Sequence, residues 1–461
     1  MPVPSKATPL GRSLPRIVTR PPGPASRRLA AELAEYESPA VSTICAGEIP
    51  IVWRRALGAN VEDADGNIYI DLTAGFGVAN LGHADPAVTR ALRRQSRELL
   101  HGLGDVHPST VRVDLVRRLA EIAPGRHNKV ILCNTGAEAV EVAMKTATLY
   151  TGKSGFLAFE RGFHGQSYGA LAVTSREEFR RPFESQIFQG VARAPFAYCH
   201  RCPVGRAYPG CDIVCLEPVE RLLDEPPLSV GPIGAVIVEP VQGREGEIVP
   251  PPEWLPRLKG LCVKRGVLLI VDEMITGFGR TGEWFAVDHW GVEPDLMCVG
   301  KALANGLPVS ACIGRAEVMD AWRHDRGEAP YSSTFMANPL GGAAALAALD
   351  KIERTGLPVR ARRQGSWLIR RLRDMQARKP IISDVRGLGM MIGLELVKDR
   401  DSGEPATEEA AHVAQAALEA GVILLRGGPQ GNVLSITPPL VITRRQLAFA
   451  LEVLEESIPS T

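Results

Sequence analysis

Three short runs carry side chains that could do chemistry together. The first is Cys133-Asn134-Thr135-Gly136-Ala137-Glu138-Ala139, where an apolar stretch gives way to a helical one. Small residues let backbone N–H groups approach an anion, and the positive end of a helix dipole favours negative charge there. Read blandly, the same run is an ordinary helix start with Thr135 as N-cap. The second is Asp272 in Val271-Asp272-Glu273, closing the most apolar strand candidate of the chain. An acid there is either a solvated strand end or a placed carboxylate. The third is Lys301 in Val299-Gly300-Lys301, 29 residues further on. A lone lysine usually faces solvent. This one follows a buried-looking run and precedes Ala-Leu-Ala-Asn-Gly, so desolvation can make its amine nucleophilic.

An anion nest, an acid and a lysine, each at a strand end, are what pyridoxal phosphate requires. The phosphate needs the nest and the aldehyde needs a lysine for a Schiff base. The pyridine nitrogen needs a carboxylate that keeps it protonated, so that the ring can accept electrons. Each pKa unit by which the acid raises the ring nitrogen corresponds to about 1.36 kcal/mol.

The elements that must position these residues follow from hydrophobic period and punctuation. Between about residues 85 and 315, helical stretches (86–99, 110–122) alternate with short apolar runs at 129–134, 155–160, 234–240, 267–273 and 296–301. Runs apolar throughout suit strands buried on both faces of a parallel sheet, joined by βαβ crossovers. In such sheets ligands bind beyond the carboxyl ends of the strands. Upstream, a short helix is expected at 29–36 and an antiparallel unit at 49–72, with a hairpin turn at Asp65-Gly66-Asn67. Downstream, a helix-rich stretch (338–378) leads into strands mixed with helices at 407–420 and 443–457, a second small α+β unit. The chain has no internal repeats.

With these elements in place, the chain resembles the class III (ω-, subgroup II) aminotransferases of pyridoxal-phosphate fold type I, over roughly residues 45–450. The core of the resemblance is Val271-Asp272-Glu273-Met274-Ile275-Thr276-Gly277-Phe278-Gly279-Arg280-Thr281-Gly282, followed by Val299-Gly300-Lys301-Ala302-Leu303-Ala304-Asn305-Gly306. Supporting runs are Asn134 to Glu141, Phe163-His164-Gly165, Glu239-Pro240-Val241-Gln242-Gly243, Thr334-Phe335 with Asn338-Pro339, and Leu81-Gly82-His83.

The resemblance implies an α/β fold: a large domain with a mostly parallel seven-stranded sheet, and a small α+β domain built from both termini. Residues 1–28 then form a disordered or arm-like segment and 29–80 the N-terminal part of the small domain. Residues 81–340 form the large cofactor-binding domain and 341–461 the C-terminal small domain. Lys301 would hold the cofactor as a Schiff base and shuttle the proton, and Asp272 would pair with the pyridinium nitrogen. Thr135, Gly136 and Ala137 would hold the phosphate. Phe163 and Met274 would face the ring from opposite sides, with His164 beside them in a structural or chemical role. Thr334 would bind the phosphate of a neighbouring subunit, making a homodimer with shared active sites. Phe76, Glu239 and Ser435 would form the substrate wall.

Two positions depart from the family pattern. Many members carry an arginine before Pro-Pro-Leu in a C-terminal strand, gripping the substrate carboxylate as a bidentate fork. Here Ser435 occupies that place, and Glu239, the arginine's usual partner, is left to be solvated, protonated or met by the substrate. The expectation is therefore a substrate without a carboxylate at this site, such as an amino sugar or another amine, unless Arg426 or Arg161 substitutes. A kinetic preference for simple α-amino acids would sink it. The second departure is Ile275, where the family usually places a glutamine that donates to the cofactor. Isoleucine cannot donate, and Gln242 is the candidate replacement.

The resulting expectation is transfer of an amino group from an amine or amino-acid donor to a ketone or aldehyde acceptor. The alternative is a racemase or epimerase on the same scaffold, weakened because Phe163 has no proton to give.

Composition limits the partners. Of 461 residues 45% are apolar and 23% charged, which excludes wholesale disorder. The formal net charge of +1 gives no basic excess for nucleic acid. No apolar run approaches the roughly 18 residues of a membrane helix, and the start has no apolar core of a secretory signal. Only ten residues are lysine against 43 arginines, so covalent lysine candidates are few. Nine cysteines favour a reducing, cytoplasmic setting. Four of them, Cys199, Cys202, Cys211 and Cys215, fall within 17 residues and could bind zinc, form disulfides or stay reduced. No metal is assigned to the chemistry.

Overall fold

A computed structural model describes residues 10–41, 49–323 and 327–459. Three antiparallel strands open the fold: β1 (Trp53–Leu57), β2 (Asn60–Asp63) and β3 (Ile68–Asp71). The β2–β3 turn carries Asp65-Gly66-Asn67, as its residue types demand. The large sheet follows with β4 (Asn128–Cys133), β5 (Gly155–Phe159), β6 (Val191–Ala194), β7 (Ile233–Val238), β8 (Leu268–Asp272), β9 (Leu296–Val299) and β10 (Ser310–Arg315). Their order is β4-β10-β9-β8-β7-β5-β6, and only β10 runs antiparallel to its neighbours. Every residue of β7 and β8 is buried, the expected consequence of helices covering both faces.

Two strands of this sheet, β6 and β10, have no counterpart among the apolar runs. Both are built largely from alanine, serine, cysteine, glycine and arginine, residues that give a weak strand signal until neighbours pair with them.

The C-terminal region adds β11 (Ile382–Leu388), β12 (Met391–Leu396), β13 (Val422–Ile423), β14 (Leu425–Gly427) and β15 (Val433–Ile436). β13 pairs parallel with β3, so one small sheet contains strands from both ends of the chain. The other has the order β11-β12-β15-β14. The expected helical stretch is two helices, Pro339–Thr355 and Leu357–Arg378, broken at Gly356 with φ 58°. The first packs on helices Pro86–Glu98 and Thr110–Ile122 of the large domain, while the second packs on β11. A domain boundary at residue 340 thus falls inside a helix docked on the large domain. The β11–β12 turn needs glycine for space: a Cβ on Gly389, at φ 55°, would meet the Thr281 carbonyl carbon at 2.3 Å.

Residues 10–28, expected as a disordered or arm-like segment, are held against the small domain. Arg16 and Ile68 exchange two backbone hydrogen bonds of 2.9 Å. The side chain of Asn60 accepts from Gly11 and Ser13, and that of Asn67 from Val18 and Thr19. Asp65 accepts from the amides of Ala25 and Ser26, starting the first helix at Pro24 rather than 29. Two buried asparagines therefore satisfy backbone that would otherwise stay solvated. Residues 1–9 of the expected arm lie outside the described residues.

The loop after β8 ends on Arg280, fully buried. Its guanidinium donates to Asn80 and to the carbonyls of Met390 and Pro438, tying this loop to the small domain. Among the described residues no helix is long and apolar enough to cross a membrane.

Candidate active site

Five parallel strands, β4, β5, β7, β8 and β9, deliver their next residues to one end of the sheet, as the topology requires. A cleft of about 480 Å³ opens there, lined by Asn134, Gly136, Ala137, Phe163, His164, Asp272, Met274 and Lys301 among others. Four chain segments far apart in sequence, around residues 134–137, 163–164, 272–274 and 301, thus meet in one cavity.

The phosphate candidates sit at the start of helix Gly136–Thr151. Thr135 and Glu138 form a capping box: the threonine hydroxyl accepts from the Glu138 amide, and the glutamate carboxylate accepts from the Asn134 and Thr135 amides. Gly136 and Ala137, whose first-turn amides have no partner within the helix, both line the cleft. Thr135 itself does not line it. A Cβ on Gly136 would lie 3.1 Å from the Met274 sulphur, and one on Gly300 would lie 2.7 Å from it. Both glycines make room for Met274.

Asp272 is buried and accepts from His164 Nδ1 at 2.8 Å and from the Met274 amide at 3.0 Å. His164 Nε2 is buried with no partner among the described residues. The imidazole therefore orients the carboxylate, which favours the structural role for His164. Gly165 holds this loop close: a Cβ there would come 2.8 Å from Ala137 Cβ.

Lys301 follows β9 with φ 45°, uncommon for a non-glycine residue. Burial lowers its ammonium below the ordinary lysine value, Asp272 and Glu239 oppose this, and the positive Arg244 lowers it further. A depressed lysine is available as a neutral amine. An acid in reach of a ring nitrogen, a desolvated lysine, free helix-terminal amides and an unpartnered imidazole nitrogen all fit pyridoxal phosphate.

The substrate wall differs from expectation. Glu239 is not left without partners: Oε1 accepts from the Phe163 amide at 2.9 Å and Oε2 from the Gly243 amide at 3.1 Å. Burial pushes its carboxyl up to about 7, against His164 and these two amides. Glu239 fastens the Phe163 loop. Ser435 is likewise engaged, donating to the buried Glu247. Neither residue lines the cleft. Phe76 is 57% exposed on a turn beside Val78, which does line it. Thr334 is exposed and does not line the cleft of its own chain. Gln242 spends its amide on the Glu160 carbonyl at 2.9 Å, so it does not replace the missing glutamine. Ile275 packs between Gly77 and Gly243.

Of the two arginines named as substitutes, Arg161 lies over the Tyr198 ring at 5.7 Å. The arginine beside the cleft is instead Arg244, whose guanidinium carbon lies 5.0 Å from the centre of the Phe163 ring. Its place in Gly243-Arg244-Glu245-Gly246, directly after the Glu239 run, was the available signal. Cys199, Cys202, Cys211 and Cys215 surround one small cavity as free thiols. No group of described residues is arranged to hold a metal ion.

Comparison with known proteins agrees with this geometry. Residues 43–458 match the family model described as aminotransferase class III. A leucine/methionine racemase of Thermococcus litoralis is 37% identical over 89% of this chain and 90% of its own length. A probable 4-aminobutyrate aminotransferase of Bacillus subtilis is 38% identical over 87% of this chain and 91% of its own. Among solved structures, an amine transaminase from an uncultivated Pseudomonas species in its PLP-bound form superposes with a TM-score of 0.84. It is 30% identical and covers 92% of this chain and 98% of its own. The chain belongs to the class III aminotransferases, with pyridoxal phosphate as its cofactor.

Proposed function

We propose that the chain transfers an amino group from an amine or amino-acid donor to a ketone or aldehyde acceptor. The observation that carries this reading is Lys301, desolvated and depressed in the same cleft as the buried Asp272. When bound there, pyridoxal phosphate supplies an electron sink in conjugation with the substrate nitrogen. Asp272 would pair with the ring nitrogen of the bound cofactor, and His164 holds Asp272 in place. The Gly136 and Ala137 amides bind the phosphate. Lys301 Nζ would take the proton from the amine-bearing carbon as a general base and then serve as a general acid. Phe163 and Met274 exclude water from the two flanks. A homodimer in which Thr334 of each chain reaches the other's phosphate completes the reading.

The racemase relative favours a second reading, interconversion of amino-acid enantiomers. Reprotonation from the opposite face needs a second acid. The titratable residues lining the cleft are His164, Asp272 and Lys301, and the first two are bonded to each other. Among the described residues of one chain that leaves Lys301 as the mobile proton carrier, which supports transamination. A half-reaction with an amino donor separates the two. Stoichiometric appearance of the aminated cofactor and an oxo product is expected. Solvent deuterium entering the amine-bearing carbon with no oxo product would overturn transamination.

A further inference from the structure

Arg244 stands on the loop after β7, and its guanidinium carbon is 5.0 Å from the centre of the Phe163 ring and 5.5 Å from that of Phe179. Stacking on rings fixes a guanidinium plane while leaving its edge free to donate. No carboxylate among the described residues pairs with it. Neighbouring Glu245 is taken by Arg176 Nε at 2.6 Å, and Glu239 by two backbone amides. Arg244 Nε is buried with no hydrogen-bond partner, a costly state for a charged donor unless a ligand meets it. Arg244 does not itself line the cleft, but it lies against Phe163, which lines it together with Lys301. Its charge is felt at the lysine, as one of the influences holding Lys301 below its ordinary value.

We propose that Arg244 binds the carboxylate of the substrate, making amino acids and their oxo acids the substrates of this cleft. This rests on the transamination reading for its reaction, and it replaces the expectation of a carboxylate-free amine. The fork donates to both carboxylate oxygens, and the rings behind it exclude water from the pair. Ser435, held by Glu247, is then no vacancy, because the cation comes from a different element of the wall.

The test compares Arg244→Met and Arg244→Lys with the parent holoenzyme on matched donors, alanine and ethylamine. The expected result in Arg244→Met is a fall of about 100-fold in the ratio of kcat/KM for alanine to that for ethylamine, since any effect of the lost charge on Lys301 is common to both donors. Arg244→Lys keeps charge without the fork and falls between. Binding of unreactive propionate, followed by calorimetry, gives a readout independent of turnover: it weakens by about 100-fold in Arg244→Met and about 10-fold in Arg244→Lys. Equal losses for alanine and ethylamine, a parent enzyme that prefers ethylamine, or unchanged propionate binding would each overturn the proposal. Should Arg244→Met fail to fold, propionate binding to Arg244→Lys decides alone. Failure of the transamination reading shows separately, as a parent enzyme that yields no oxo product from alanine while propionate binding still depends on Arg244.

Discussion

At the cofactor end of the cleft, Asp272, the last residue of β8, and His164, on the loop after β5, meet 2.8 Å apart. At the substrate end, Arg244 leans on two rings while the acids around it, Glu239, Glu245 and Glu247, are bound by other elements. The cofactor end is set by the sheet: each residue is placed by the strand it follows. The substrate end is set by pairings across the two domains. Glu247 meets Ser435 on β15, and Arg386 on β11 donates to the Gly246 carbonyl. Chemistry common to a scaffold can sit on its most rigid part, while selectivity resides where loops and domains meet.

That contrast can be broken from the cofactor end first. Lys301→Ala should lower amine transfer by about 10⁴-fold or more and abolish the visible absorption of lysine-bound cofactor. More than a hundredth of parent turnover would remove Lys301 from its role. Asp272→Asn should cost roughly 10²–10³-fold in kcat. His164→Ala, which acts only through Asp272, should cost about 10-fold. A larger loss for His164→Ala than for Asp272→Asn would reverse their assigned parts.

At the substrate end the readout is stability. Burial raises the Glu247 carboxyl to about 8, with Ser435 and Arg386 opposing. A raised carboxyl contributes stability at low pH, and that contribution is lost as pH climbs from the unfolded value near 4.5 toward the folded one. Glu247→Gln has nothing to ionise and can still accept from Ser435. Its stability relative to the parent should therefore rise between pH 5 and 8, by up to about 1.4 kcal/mol per pH unit. Denaturant melts at the two pH values check this, and a difference independent of pH would show Glu247 already ionised in the native state.

The smallest effect concerns the floor of the cleft. Gly300→Ala places a Cβ 2.7 Å from the Met274 sulphur, so overpacking of roughly 1–3 kcal/mol should appear as weaker cofactor binding. Met274→Ala in the same chain should restore most of it. Failure to restore would locate the clash at Ser310, whose Cβ lies 3.1 Å away.

How far the sequence reached follows the same division. The buried strands β7 and β8 read directly, because continuous apolar runs have few other uses. The hairpin at Asp65-Gly66-Asn67 read from its turn residues. β6 and β10 did not, since alanine, cysteine and glycine become strand residues only when neighbouring strands offer hydrogen bonds. The break at Gly356 hid inside one helical period. Residues 10–28 looked like a disordered or loosely attached arm because what orders them, the side chains of Asn60 and Asn67, lies some 50 positions away and carries no periodic mark.

By itself the sequence determined the cofactor end: Gly136, Asp272 and Lys301 are each marked by residue type at the end of an apolar run, and strand ends of a parallel sheet converge. Only the tertiary structure decided which charges on the substrate wall are free. Glu239, expected to lack its arginine partner, accepts from two backbone amides, while Arg244 drew no notice and stands unpaired among the described residues. The physical reason is that a charge's partners are chosen by distance in space, and loops brought together across two domains leave no record of that distance in the spacing of their residues.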